Sequence, residues 1–262
     1  MGSKISIIIP AYNEEKRIGR TLEEYSRFFK ERIKNKEIIS FEIIVVLNAC
    51  RDRTIDVVKG IKNKHKEIIC LDFKHGGKGF AIVEGFKESL NRDSDTIGFV
   101  DADMATSPEE FYRLIKSINN YGGAIASRYV KGAVVEPKRT VQRMIASRIF
   151  NFLVRILFLM PYRDTQCGAK VFKRTSIDRI LPRIGMTKWA FDVDLLYQLK
   201  KEKIKIYEYP TYWNDKEYSK INLKDAGPSM FLAVIRLRLL NSYFKDFVRL
   251  YNKISEKFRM QM

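Results

Sequence analysis

The chain has 262 residues, 45% of them hydrophobic and 31% charged, a composition that supports a large core and excludes disordered and collagen-like classes. Its 49 Lys and Arg against 31 Asp and Glu leave a net charge of +18, so an acidic partner is expected: nucleic acid, an anionic membrane face or a phosphorylated substrate. The three cysteines, Cys50, Cys70 and Cys167, are scattered and in no C-x-x-C pair, which argues against a disulfide framework or zinc site and for a reducing compartment.

Apolar, β-branched runs at residues 5–9, 41–47, 68–73, 96–100 and 124–127 predict strands. Between them, amphipathic stretches at 14–33, 54–64, 78–90 and 108–118 predict helices, the first with Ile18, Leu22, Tyr25, Phe29 and Ile33 on one stripe. This alternation is the rhythm of an α/β fold on a mainly parallel sheet. The helix at 108 is well signalled, with Ser107 as N-cap, Pro108 in the first turn and Glu110 placed to complete a capping box.

Beyond Arg128 the character changes. Residues 128–183 hold 13 Lys and Arg against only Glu136, Asp164 and Asp178, so this segment carries more than half of the surplus charge. Within it Met144, Ile145, Ile149, Phe152, Leu153, Ile156, Leu157 and Leu159 predict an apolar helix punctuated by Arg143, Arg148 and Arg155, and the stretch from 228 to 259 repeats the chemistry with Arg236 and Arg238. The most apolar runs, 149–161 and 230–240, are shorter than the roughly 18 to 20 residues of a membrane span. Basic amphipathic helices of this kind suit an anionic membrane surface. With no secretory signal in MGSKISIIIPAYNEE, the expected place is cytoplasmic, at the cytoplasmic face of a membrane.

Three segments carry chemistry. Phe99-Val100-Asp101-Ala102-Asp103 puts two carboxylates one residue apart after an apolar strand, where open parallel sheets bind ligands and where a hard divalent cation and a diphosphate can be shared. Ile9-Pro10-Ala11-Tyr12-Asn13-Glu14 also ends a strand and opens a helix, placing backbone donors and Tyr12 where a base or phosphate can sit. The turn His75-Gly76-Gly77-Lys78-Gly79 allows close backbone approach and supplies a cation, but matches neither the P-loop nor the dinucleotide fingerprint.

In order along the chain, PAYNEE (10–15), GGKG (76–79), DAD (101–103), ASR (126–128), DTQCGAKVF (164–172), WAFDVDLL (189–196) and SKIN (219–222) resemble glycosyltransferase family 2, and more closely its polyprenyl-phosphate branch of dolichyl-phosphate glucosyltransferases and mannosyltransferases. The resemblance, which runs from about Lys4 to about Leu239, implies a GT-A, Rossmann-like fold; a transferase domain is expected over residues 1–225, and the basic apolar pattern adds a helical extension over 226–262. It also implies a nucleotide-sugar donor, a Mg2+ or Mn2+ ion, and inverting transfer of glucose or N-acetylglucosamine to dolichyl phosphate. Carried over residue by residue, it assigns Pro10, Tyr12, Glu14, Lys78, Asp101, Arg128, Gln166 and Trp189 to the nucleotide sugar, and Asp101 and Asp103 to the metal; Asn48, where the family's acids are missing, is expected to hydrogen-bond the base or ribose of the nucleotide sugar. It assigns Asp103, Asp164, Asp192 and Asp194 to the reacting centre. Ser219 and Lys220, with Arg148, Arg155, Arg236 and Arg238, are assigned to the acceptor phosphate and membrane.

The chain departs from the family at Leu47-Asn48-Ala49-Cys50, where two acids, glycine and serine are usual, which leaves UDP against GDP open. Ala105 replaces a glutamine frequent in mannosyl relatives and favours a glucosyl donor. The alternatives are mannosyl transfer from GDP-mannose, or a saccharide acceptor with Asp192 or Asp194 as base. A nucleic-acid-binding module is disfavoured, because no recognition motif is visible and the acidic pair would repel a phosphate backbone.

Overall fold

In β1 (Lys4–Ala11) the alternation of a strand sends Ile5, Ile7 and Ile9 into one apolar core and Ile8 into another. A strand apolar on both faces must lie inside a sheet covered on both sides. In this computed structural model, which describes residues 3–137, 140–185, 190–214 and 223–243, that sheet is formed by β1, β2 (Ser40–Asn48), β3 (Ile68–Phe73), β4 (Thr96–Phe99), β5 (Gly123–Ser127), β7 (Lys170–Lys173) and β8 (Ile206–Pro210), in the order β3-β2-β1-β4-β7-β5-β8. Only β7 runs antiparallel to its neighbours β4 and β5. A second, two-stranded sheet pairs β6 (Val134–Glu136) with β9 (Tyr212–Asn214).

Helices α1 (Ile18–Lys34), α2 (Thr54–Lys62) and α4 (Pro108–Lys116) supply Leu22, Tyr25, Phe29, Val58 and Phe111 to one core. The other core takes Ile82 and Phe86 from α3 (Lys78–Asn91), Val154 and Phe158 from α5 (Val141–Phe158), Ile177 from α6 (Arg174–Ile180), Leu195 from α7 (Phe191–Lys201) and Val234 from α8 (Leu223–Leu240). The molecule is thus an α/β, mainly parallel sheet between helices, as the residue pattern predicts. Among the described residues no helix is long and apolar enough to cross a membrane.

Two local expectations need correction. The first helix starts at Ile18 rather than at residue 14, because Asn13 takes a positive φ of 54° and the Glu14 carbonyl closes a turn on Arg17 and Ile18. Ser107 does cap α4, accepting from Glu110 N at 3.2 Å, but Glu110 does not complete a capping box. Its carboxylate accepts from Tyr212 N at 2.9 Å and from Arg113 at 2.9 Å, since β9 brings a backbone donor to it.

Helix α3 lies close on β1 because Gly85 has no side chain: a Cβ there would stand 2.5 Å from Ile8 Cγ2, an atom fixed by β-branching. Gly85→Ala is therefore expected to destabilise the fold by about 1–3 kcal/mol, the usual range for overpacking, read as a lower urea midpoint with unchanged m-value.

Candidate functional site

The parallel strands all end at one edge of the sheet, and antiparallel β7 starts there, with Lys170 paired to Phe99. The edge collects Tyr12 after β1, Asn48 at the end of β2, Asp101 and Asp103 after β4, Arg128 after β5, and the segment 163–169 that leads into β7. Ligand sites form at such edges in open α/β sheets.

At its centre Lys78, the first residue of α3, contacts Asp101, with Nζ to Oδ1 at 2.6 Å and both side chains about one-third open. Gly76 and Gly77 deliver this lysine with φ of 151° and 156°, a region open to glycine. Burial works against the Lys78 ammonium, but Asp101, then Asp192 and Asp103, more than offset it and hold its pKa well above the usual range. Burial and then the adjacent Asp101 push the Asp103 carboxyl up, so the two acids repel. Asp103 accepts from Ala105 N at 3.0 Å and lies 3.9 Å from Arg17.

Gly168 locks this geometry: a Cβ there would stand 1.9 Å from Asp101 Oδ2. Two mutually repelling carboxylates are a hard oxygen donor set that suits a divalent magnesium or manganese ion completed by water and phosphate oxygens. In the segment that ends at Gly168, Gln166 Nε2 is shut off from solvent with no acceptor among the described residues, a donor left free for an exogenous oxygen. Among the described residues no group of three or more His, Cys, Asp or Glu gathers as a metal site, so the fit rests on the carboxylate pair and exogenous oxygens.

Two buried ion pairs flank the centre. Arg128 makes a two-pronged contact with Asp164, Nε to Oδ2 at 2.7 Å and Nη2 to Oδ1 at 2.9 Å, while its backbone N donates to Oδ2 at 3.0 Å. Burial opposes both charges, yet Arg128 holds the Asp164 carboxyl below its usual range. The guanidinium also stacks on Trp213 at 5.3 Å and Tyr129 at 5.7 Å. Lys170, wholly buried, donates to Asp192 Oδ1 at 2.5 Å and to Cys167 O at 2.7 Å, and Asp192 in turn faces Lys78.

The other expected residues fall as follows. Tyr12 is half exposed, with its ring open at the edge. Pro10 lies within β1, paired to Val46. Glu14 is bound by Arg17 through two contacts of 2.6 Å and its backbone N donates to Thr54 Oγ1 at 2.7 Å. Asn48 and Cys50 both donate to Ala11 O, at 3.0 and 3.4 Å, so the unusual Leu47–Cys50 stretch ties the β1 and β2 loops together. Asp194 accepts from Gly185 N at 2.7 Å and Gln198 Nε2 at 2.8 Å. Arg148 and Arg155 lie on α5 and Arg236 and Arg238 on α8, all exposed. Trp189, Ser219 and Lys220 lie outside the described residues. Sequence reasoning missed Arg17, Gly168 and Lys170; the signal for the last was a lysine inside the short apolar run Ala169–Phe172, where a buried cation demands a carboxylate.

Residues 6–181 match glycosyl transferase family 2. A dolichyl-phosphate beta-glucosyltransferase of Drosophila melanogaster is 31% identical over 247 residues, 89% of this chain and 75% of that protein. The human protein of the same name is 32% identical over 228 residues, 83% and 69% of the two chains. Among solved structures, glucosyl-3-phosphoglycerate synthase from Mycobacterium tuberculosis, in complex with Mn2+, uridine diphosphate and glucosyl-3-phosphoglycerate, shares the fold with a TM-score of 0.65 at 16% identity, over 91% of this chain and 79% of that one.

Asp194 offers a pH test. Burial pushes its carboxyl pKa up to about 6 against the bonds from Gln198 and Gly185. The folded state then holds the proton more tightly than the unfolded chain, whose aspartates titrate near 3.9, so this contribution is full below about pH 4 and lost as pH rises through about 6. Relative to Asp194→Asn, the wild type should lose roughly 3 kcal/mol of stability between these limits; denaturant titrations of both proteins at pH 4 and pH 7 would measure it, and a gap that moves the other way would refute the assignment.

Proposed function

The chain belongs to glycosyl transferase family 2, and from that premise we propose that this hexosyltransferase moves glucose from a nucleotide-diphosphate donor, UDP-glucose favoured, to the phosphate of dolichol or a related polyprenol. The acceptor and sugar are those in the names of its relatives. The observation that carries the reading at the level of chemistry is the Asp101–Lys78 pair beside Asp103 at the ligand-binding edge of the sheet.

Asp101 and Asp103 would hold a magnesium or manganese ion, which supplies charge to neutralise the donor diphosphate. Lys78 stands where its ammonium would stabilise negative charge gathering on the leaving phosphate. Tyr12 offers an open ring to the base, with Pro10, Glu14 and Asn48 shaping the loop beneath it. Gln166 Nε2 would donate to an oxygen of the bound donor, and Trp189 is assigned to recognition of the sugar. An acceptor phosphate oxygen attacks the anomeric carbon from the face opposite the nucleotide, a new carbon–oxygen bond forms, and the bond to the β-phosphate breaks with its electron pair leaving on UDP. The configuration inverts. A phosphate monoester has its second pKa near 6 and is mostly ionised at neutral pH, so no general base is required. Asp164, Asp192 and Asp194 accordingly act as positioning residues: Asp164 holds Arg128, Asp192 ties Lys170 to the Lys78 side, and Asp194 fixes Gly185.

On this reading residues 1–225 form the transferase domain, and α8, beginning at Leu223, carries the chain into a basic extension over 226–262 in which Arg236 and Arg238 meet lipid. Ser219 and Lys220 assist the acceptor phosphate. On α5, Val141, Ile145, Ile149, Phe152 and Ile156, with Leu159 just past its end, are each at least half exposed at three- and four-residue steps, an apolar stripe open to solvent. Phe231 and Leu232 on α8 are exposed too. This pattern supports a peripheral position on a membrane surface, which this reading places on the cytoplasmic face.

Incubated with labelled UDP-glucose, dolichyl phosphate and Mg2+ or Mn2+, the protein should yield a butanol-extractable glucolipid, and Asp103→Ala should lower the rate at least about a thousandfold, as loss of a metal-binding carboxylate implies. Hydrolysis of the donor without lipid product would overturn the acceptor. Replacing Arg148, Arg155, Arg236 and Arg238 together by Gln should cost several kcal/mol of binding to anionic vesicles, at about 1 kcal/mol per basic residue near the surface; unchanged sedimentation would refute the membrane face.

A further inference from the structure

Asp103 has a cation of its own. Arg17 Nη1 lies 3.9 Å from its Oδ2, with the two side chains 30% and 25% open. We propose that this guanidinium couples the metal to the donor: Arg17 opposes a divalent ion that comes to the acid pair alone, and favours one that comes with a diphosphate. The inference rests on the nucleotide-sugar reading and adds to it an order of assembly imposed by one residue.

The guanidinium is aimed. Glu14 takes its Nε and Nη2 edge through two contacts of 2.6 Å, which leaves Nη1 turned to Asp103. The helix that carries it is bonded to the acid loop, because Thr21 Oγ1 donates to Ala102 O at 2.7 Å and the Tyr25 hydroxyl to Thr106 O at 2.9 Å, both buried. Residues 17, 21 and 25 stand at four-residue steps, so they share one face at the start of α1, and all three meet residues 102–106. Helix stability does not explain the arginine, since a cation at a helix N-terminus opposes the macrodipole.

The oxygens give the second argument. Asp103 Oδ1 accepts from Ala105 N at 3.0 Å, and Oδ2 is left to face Arg17. Asp101 Oδ1 contacts Lys78 at 2.6 Å, while its Oδ2 lies against Gly168. Each acid is thus matched with one cation of the protein. A divalent ion joining such a set is attracted less than by a bare acid pair, because the guanidinium repels it at close range. A diphosphate reverses the sign. The contact of 3.9 Å is electrostatic and lies outside hydrogen-bond range, so the Nη1 protons stay available for a charge-assisted bond to a phosphate oxygen.

Binding of Mn2+, read from the electron paramagnetic resonance signal of the free ion with and without UDP, tests this coupling without turnover. In wild type UDP should tighten Mn2+ binding, and Mn2+ should tighten UDP binding by the same factor. Arg17→Gln should bind Mn2+ alone about five- to ten-fold tighter and lower the coupling factor about ten-fold. Arg17→Lys, which keeps the charge, should stay close to wild type. Arg17 makes only partly open ion pairs, so both variants should fold, as circular dichroism would check. A role confined to holding the loop predicts the opposite sign, weaker Mn2+ binding with and without UDP, and that result would overturn the proposal. An unchanged coupling factor in Arg17→Gln, or a lysine variant that behaves like the glutamine one, would overturn it too and leave the proposed function standing. Wild type that binds neither Mn2+ nor UDP would instead count against the donor reading on which the inference rests.

Discussion

Two carboxylates one residue apart are unstable neighbours, and the arrangement of this site follows from how their repulsion is contained. Asp101 leans on Lys78, and Asp103 on the backbone of Ala105 and the more distant Arg17. Lys78 also feels the charge of Asp192, and Asp192 is itself claimed by Lys170. Charges therefore alternate across the carboxyl edge of the sheet. A chain of this kind fixes each side chain by the next, which is what preorganisation for charge transfer to a leaving group demands. The Lys78–Asp101 pair, about one-third open to water, adds little stability by itself; its value is in orientation.

The Arg128–Asp164 pair works differently. Both side chains are almost wholly buried, the guanidinium is sandwiched by aromatic rings, and breaking such a pair typically costs about 3–5 kcal/mol because the survivor is stranded. It joins the end of β5 to the segment entering β7. An arginine so fully claimed is part of the scaffold between β5 and β7, and the exposed positive charge lies further out, on α5 and at Arg163.

The sheet and the acidic pair were legible because period-two burial and strand-end carboxylates are local signals. Where burial is complete on every side the period vanishes: Ala190 through Leu196 are all buried, so α7 shows no amphipathic stripe. Strands β6 and β9 have three residues each, too few to establish alternation. Strand β7 was concealed by Lys170, a charge in a core position that only its partner Asp192 explains. Gly168 is silent in the sequence, since its function is to be absent from the space that Asp101 occupies.

The insertion of β7 between β4 and β5 has a consequence for biosynthesis. While the chain emerges from the ribosome, β4 has β1 on one side and an open edge on the other until Lys173 has been made, because its second neighbour lies some seventy residues downstream. Non-local pairing of this kind is slow, and an open edge is a hazard until it closes. The strand that closes it is led in by the segment carrying Asp164, Gln166 and Gly168. The carboxylate edge is thus finished by the same residues that close the sheet, and a nascent chain has no stage at which Asp101 has its final surroundings while β4 still has an open edge.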